Sequence, residues 1–387
     1  MNKKELELYI HIPFCVRKCS YCDFLSAPAT EQTREAYMAA LFAEIGGRAK
    51  DYSDRTVTSI FIGGGTPSLL SGEQIGQLMD RIREQFAMAQ DAEITMEVNP
   101  GTASAEKLRN FYTAGINRLS IGMQSAQAEE LKNLGRIHDF EGFCQVYREA
   151  VEAGFTNINV DIMSGLPGQT LASYRDTLEK VLHLEPMPQH ISAYNLIVEE
   201  GTPFAAMAER GELPLPEEET ERAMYEETIE VLAKYGFHRY EISNYARDGY
   251  ECRHNVGYWI RRDYLGFGIG AASLIDNVRF QNEKSLGTYL AHPLESREEE
   301  QTLTVQDRME ETMFLGLRLT RGVSCVDFAE QYGRTVEEVY GEVIARNVAD
   351  GLLTVTERKE NQKKDRFLAL TKRGLDLSNY VMAQFLF

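Results

Sequence analysis

Three cysteines, Cys15, Cys19 and Cys22, stand at C-x3-C-x2-C spacing in Tyr9-Ile-His-Ile-Pro-Phe-Cys15-Val-Arg-Lys-Cys19-Ser-Tyr21-Cys22. Thiolates three and four residues apart on one compact loop can converge on a single inorganic centre. A structural zinc site needs four protein ligands and a closed shell. Three thiolates with no fourth cysteine nearby instead suit a [4Fe–4S] cluster with one iron open for chemistry. A zinc knuckle completed by a distant His or Cys is the alternative.

Other polar residues fall where apolar runs stop. Gly63-Gly64-Gly65-Thr66 follows Ser59-Ile-Phe-Ile. Consecutive glycines let backbone groups approach a ligand that side chains would block, while a tight turn explains one glycine well and three poorly. Glu97 offers a carboxylate suited to bridging ribose hydroxyls, or is a solvated strand-end charge. Gln124 and Asp161 end two further apolar runs. Arg136, beside His138, suits bidentate pairing with a carboxylate.

The elements that must position these groups alternate. Strand patterns at 6–12, 59–62, 93–98, 118–124, 157–163 and 190–196 are separated by helical patterns at 33–50, 72–86, 105–114, 140–153 and 171–184. Such alternation means βαβ units and a parallel sheet, here a partial (β/α)6 TIM-like barrel of the α/β class. Function gathers at the C-terminal ends of barrel strands, and the polar residues above fall there.

The aromatic residue before the third cysteine and the Tyr9–Cys15 run are similar to the radical S-adenosylmethionine (SAM) signature of the oxygen-independent coproporphyrinogen III oxidases and their relatives. That resemblance implies a [4Fe–4S] cluster on Cys15, Cys19 and Cys22, with SAM chelating the open iron. In such enzymes the reduced cluster passes an electron to the sulfonium, giving a 5′-deoxyadenosyl radical. The family's SAM contacts match Tyr9, Tyr21, Gly64, Gly65, Thr66, Glu97, Gln124, Arg136 and Asp161. The match spans about residues 6–200, and an electron donor for the cluster is implied with it.

After the barrel, Gly236–Ala246 reads as an extended strand and Gly266–Ser273 as a glycine-rich strand. Between them lies Cys252-Arg-His254-Asn255-Val-Gly-Tyr258-Trp259. A histidine can ligate haem iron, and Tyr and Trp can stack on a porphyrin face. A structural histidine at an inter-domain seam is the other reading. His254-Asn255-x-x-Tyr258-Trp259 resembles a signature of the haem-chaperone branch of the family. It makes these four residues the candidates for haem as cargo, with a cytochrome-type acceptor, at a membrane in one version, as partner. The oxidase branch carries a fourth cysteine where this chain has Phe24, and a long N-terminal extension where strand one here begins near residue 6. The rival reading is the oxidase itself, converting coproporphyrinogen III to protoporphyrinogen IX.

Helical patterns at 306–319, 325–331 and 335–350, then a hairpin pattern through 351–371 and a helix from Lys372, predict an α+β winged-helix-like domain. The expected units are 1–200, 201–300 and 301–387. Arg358, Lys359, Lys363, Lys364 and Arg366 make the wing tip basic. The chain's formal charge of −18 nevertheless supplies no surplus to displace counterions, so nucleic acid is not an expected partner. Cys144, Cys252 and Cys325 are scattered, which is no secreted disulfide framework. Glu5 and Glu7 interrupt any signal-peptide core, and no apolar run approaches eighteen residues. The expected compartment is the reducing cytoplasm.

Overall fold

The computed structural model describes residues 3–295, 297–360 and 363–386, without the side chains of Lys359, Glu360 and Lys363. Six strands carry the first half: β1 (Lys4–Ile12), β2 (Arg55–Gly64), β3 (Ala87–Val98), β4 (Arg118–Gln124), β5 (Ile158–Ser164) and β6 (His190–Asn195). They pair in parallel in sequence order. Their crossovers hold α1 (Glu31–Arg48), α2 (Gly72–Gln85), α3 (Ala105–Thr113), α4 (Ala128–Leu134), α5 (Phe140–Ala153) and α6 (Leu171–Leu182).

Side-chain alternation explains how these strands divide their two faces. Leu6, Leu8, Ile10 and Ile12 are fully buried, as are Ile60, Ile62, Met96, Leu119, Ile121, Val160 and Ile162. They form one core with α1, α2, α3, α5 and α6. The intervening positions occupy the opposite face, and register sets them in rows. Tyr9, Phe61, Thr95 and Arg118 are successive partners. One row higher, Glu97, Ser120, Asn159 and His190 are partners. Above these come Gly122, Asp161, Ser192 and Asn244.

Residues 201–300 extend this sheet rather than forming a separate layer. After α7 (Pro203–Glu209) and α8 (Glu218–Lys234), β8 (Asn244–Ala246) pairs antiparallel with β6, and β7 (His238–Arg239) pairs antiparallel with β8 at the sheet edge. The expected single strand over 236–246 is thus two short strands folded on each other. A helix, α9 (Arg253–Trp259), carries the His-Asn-x-x-Tyr-Trp run. β9 (Tyr264–Phe267) pairs in parallel with the opposite edge strand, β1, and β10 (Ala272–Ile275), β11 (Val278–Asn282) and β12 (Arg297–Thr302) continue antiparallel. The expected glycine-rich strand is therefore a turn between β9 and β10. Gly268 and Gly270, at φ 94° and 64°, supply its left-handed backbone. One core runs from Leu6 to Tyr289, so the expected division near residue 200 is not a break in packing.

A second core, from Met309 to Phe385, belongs to the C-terminal segment. Here α10 (Leu286–Ala291) of the first body is followed by α11 (Val305–Gly316), α12 (Cys325–Tyr332) and α13 (Val336–Ala349). The hairpin β14 (Leu353–Glu360) and β15 (Lys363–Leu370) is joined by a short β13 (Val323–Ser324). Three helices and a small antiparallel sheet make the winged-helix-like arrangement. Of the basic wing tip, the side chains of Lys359 and Lys363 lie outside the described residues.

Candidate functional site

The cysteine loop leaves β1 and is tied at both ends. The Cys15 amide donates to the Ala27 carbonyl at 3.2 Å, and the Ala27 amide to that of Pro13 at 3.0 Å. The outer turn is held by α4, a helix the sequence reading passed over. Ser20 N–H donates to Leu134 O at 3.0 Å, and Arg17 reaches Gly135 O at 2.7 Å. Gly135 caps α4 with φ 77°, the left-handed geometry that reverses the chain. That reversal delivers Arg136 beneath the loop, its Nη1 3.8 Å from Cys19 Sγ and its Nη2 2.6 Å from Gly122 O.

The three cysteines, Tyr21, Gly64, Gly65, Thr66, Glu97, Gln124, Arg136 and Asp161 line one cavity of about 570 Å³ at the C-terminal ends of the strands. Tyr9 lines a neighbouring cavity of about 390 Å³, which shares Phe24, Gly64 and Glu97 with the first. Glu97 is therefore the partition between two chambers. Its carboxylate accepts the Gly64 amide at 3.0 Å. Burial first, and Asp161 second, push it up to about 8 against that hydrogen bond. Burial likewise raises Asp161, although Asn159 donates to it at 2.6 Å and Ser120 at 3.4 Å. Gln124 has φ 69° where β4 slips register against β5, and Tyr194 donates to its Oε1 at 3.0 Å. A non-glycine residue held there stores roughly 1–3 kcal/mol, a common expense at a ligand site.

The donor set fits the group that the cysteine spacing implies. Thr66 Oγ1 donates to Cys15 Sγ at 3.4 Å, and Arg136 Nη1 stands 3.8 Å from Cys19 Sγ, so both sulfurs face donors. Among the described residues, no three His, Cys, Asp or Glu side chains are drawn close enough to enclose a single metal ion, the three cysteines included. Gly65 leaves a cradle that no side chain could share. A Cβ there would stand 2.7 Å from Phe14 O and 2.9 Å from Ile12 O. Arg136 Nε is buried without a partner, as a residue awaiting a ligand would be. Val16, Phe24 and Ile197 are exposed apolar side chains, the last two on the cavity lining.

The His-Asn-x-x-Tyr-Trp residues are not gathered on one ligand surface. His254 is 1% exposed. Its Nδ1 shares a proton with Ser59 Oγ at 2.9 Å and its Nε2 with Tyr258 Oη at 3.2 Å. Phe61 stacks on its ring, and burial drives its pKa down to about 3. With both nitrogens engaged and no open face, His254 is not placed to ligate iron. The cause is that α9 docks on β2 and β3, with Glu93 accepting the Arg253 and His254 amides. Asn255 lines the cysteine cavity, Tyr258 lines the smaller one, and Trp259 packs under Arg318 of the C-terminal segment, 4.3 Å away.

Several lining residues escaped the sequence reading: Arg118, Ser120, Asn159, Ser192, Tyr194 and Asn244. Part of their signal lay in the polar residues that alternate along β4, β5 and β6; Asn244, on β8, is outside that pattern. His11 was also missed. Its Nε2–H donates to Leu25 O at 2.9 Å, which leaves Nδ1 to accept the Tyr9 hydroxyl at 3.0 Å. It thereby links Tyr9 to the end of the cysteine loop.

A partial parallel barrel with a three-cysteine loop, a glycine cradle and a buried acidic partition at its mouth defines a radical SAM protein. The family model "Radical SAM superfamily" matches residues 9–181, and "HemN C-terminal domain" matches 303–377. The protein named "Heme chaperone HemW" of Bacillus subtilis is 38% identical over 385 residues, 98% of each chain. That of Escherichia coli is 37% identical over 358 residues, covering 90% of this chain and 92% of its own. The solved structure described as coproporphyrinogen III oxidase (HemN) from Escherichia coli superposes with a TM-score of 0.84 at 28% identity, covering 100% of this chain and 91% of that one. The chain belongs to the HemW family of the radical SAM superfamily.

Proposed function

We propose that this protein is a haem chaperone: it binds haem beside a [4Fe–4S] cluster and SAM, and passes the haem to an acceptor protein. The observation that carries this reading is the nearly full-length similarity, at 36–38% identity, to proteins named heme chaperone. Cys15, Cys19 and Cys22 would hold the cluster. Bound there, the cluster would supply an open iron site for SAM and an electron for its sulfonium.

The chain's own residues divide the remaining tasks. Arg136 presents a fixed guanidinium to the methionine carboxylate, and Gly64 and Gly65 admit the methionine end close to the backbone. Glu97 offers its second carboxyl oxygen to ribose hydroxyls. Gln124 and Asp161 provide amide and carboxyl contacts along the adenosine. Phe24 and Ile197 give the cavity mouth an apolar margin suited to the face of a macrocycle. Phe24 also stands where the oxidase branch carries a further cysteine. The acceptor would be a cytochrome-type protein, and a reductant would serve the cluster. The carrier would work in the cytoplasm and meet its acceptor at a surface. Among the described residues no helix is long and apolar enough to cross a membrane.

The similarity to the coproporphyrinogen III oxidase structure favours a second reading, decarboxylation of coproporphyrinogen III by the same core. Anaerobic titrations of reconstituted protein with haem and with coproporphyrinogen III, side by side, separate the two. Saturable haem binding with weak coproporphyrinogen binding is expected. The reverse order of affinities would reject the chaperone reading.

A further inference from the structure

We propose that the floor of the cysteine cavity is a carboxylate-binding subsite centred on the Arg118 guanidinium. It rests on the haem reading, and it takes one propionate arm of the bound haem. Arg118 opens β4 and is 2% exposed, yet it lines the cavity that holds the cysteines. It lies in the inward row of Tyr9, Phe61 and Thr95, two residues before Ser120 and thus about 7 Å beneath the level of Glu97.

Several neighbouring polar side chains are already engaged. Asn159 Nδ2 donates to Ser120 at 2.7 Å and to Asp161 at 2.6 Å. Asn159 Oδ1 faces His190 Nδ1 at 2.6 Å. Ser192 donates to Asn244 at 2.7 Å, whose own Nδ2 donates to Glu241 at 2.6 Å. Glu93 accepts the Arg253 and His254 amides and faces the Cys252 thiol. Arg118 Nε, by contrast, is buried with no partner, and no ion pair holds its guanidinium among the described residues. Thr95, its register partner on β3, is fully buried and its hydroxyl is also unpartnered.

A buried donor left unmet is costly, and more so when it carries charge. A guanidinium fork presents two parallel donors to two oxygens of one group, the geometry of a carboxylate. Glu93 and Asp161 act on this guanidinium electrostatically, but neither forms an ion pair with it among the described residues. The methionine carboxylate is allotted to Arg136 beneath the cysteine loop, on another part of the lining. An acidic arm reaching the floor is therefore a separate contact, and haem carries two such arms on one edge.

The test compares haem with its dimethyl ester, whose arms bear no charge, on the full-length reconstituted protein, with SAM affinity measured in parallel. The unmodified protein is expected to bind haem at least about tenfold more tightly than the ester, the worth of one charge-assisted contact. Arg118→Gln should abolish that preference while SAM affinity stays within about twofold, and Arg118→Lys should restore part of it. Equal affinity for acid and ester in the unmodified protein, a result that needs no variant to fold, would mean that water alone meets Arg118 and would overturn the proposal. A SAM affinity that collapses in Arg118→Gln with the haem preference intact would assign the guanidinium to SAM and overturn it as well. If neither haem nor ester binds, the chaperone reading fails and takes this subsite with it.

Discussion

Gly65 fixes how close the ligand's cradle stands to the cysteine loop. A Cβ at this position would press on the Phe14 and Ile12 backbone, one to three residues before Cys15. Gly65→Val should therefore displace the loop itself, and not merely crowd SAM. The expected result is a large loss of iron–sulfur absorbance after anaerobic reconstitution; a full cluster with only SAM binding impaired would show that the loop yields. Glu97 makes a second residue-scale prediction. Its ordinary value of 4.5 is raised to about 8, by burial first. The folded protein thus keeps a proton that the unfolded chain has lost. That stabilising contribution is complete below about pH 4.5 and disappears as pH rises to about 8. Below about pH 6.5 the buried histidines, held well below their ordinary value, act in the opposite direction, so without ligand urea unfolding should show stability falling between about pH 6.5 and 8. Glu97→Gln should flatten part of the slope, and Glu7, also raised to about 8 by burial, keeps the remainder. An unchanged slope in Glu97→Gln would contradict the shift.

At the scale of elements, α9 acts as a spacer that sends consecutive motif residues to different places. His254 sits between Phe61 and Tyr258, with Ser59 on one nitrogen. His254→Ala should cost about 2–4 kcal/mol of stability through the cavity and the orphaned Ser59 hydroxyl, and leave the absorption spectrum of bound haem unchanged. A shifted Soret band at unchanged stability would make the histidine an iron ligand. The motif's residue types gave no hint of this burial, because a histidine suits a metal and a packed core equally well. The barrel strands and their main crossover helices were legible, since apolar periods of 2 and 3.6 carry them. α4 was not: seven residues, Ala-Glu-Glu-Leu-Lys-Asn-Leu, make too short an amphipathic run to stand out. β12, Arg-Glu-Glu-Glu-Gln-Thr, is exposed at every position, so no apolar alternation marks it. The strand-end residues of the site were readable from where apolar runs stop. The inward rows through Arg118, Asn159 and Ser192 require register between strands, which one chain read in order does not supply.

Over the whole molecule, two cores meet at a seam built from charge. Arg261, with a 3% exposed side chain, pairs with Glu311 at 2.8 Å, and Arg279 reaches the same carboxylate at 2.7 Å. Trp259 under Arg318 and the Glu241–Leu319 bridge lie on the same seam. Glu311→Ala would leave Arg261 buried without its counter-ion, at a cost of about 3–5 kcal/mol. Limited proteolysis should then release the segment after residue 303 sooner than in the parent; equal cleavage rates would mean that the apolar contacts hold the seam alone. A fold shared with an oxidase does not settle the chemistry, because function resides in the site that the fold carries. The central claim is that this site carries haem rather than transforming its precursor. Anaerobic incubation of the reconstituted protein with coproporphyrinogen III, SAM and a reductant tests it most directly. The account predicts no protoporphyrinogen IX beyond a no-enzyme control, with haem still bound stoichiometrically by the same preparation. Protoporphyrinogen IX accumulating over repeated turnovers would contradict it.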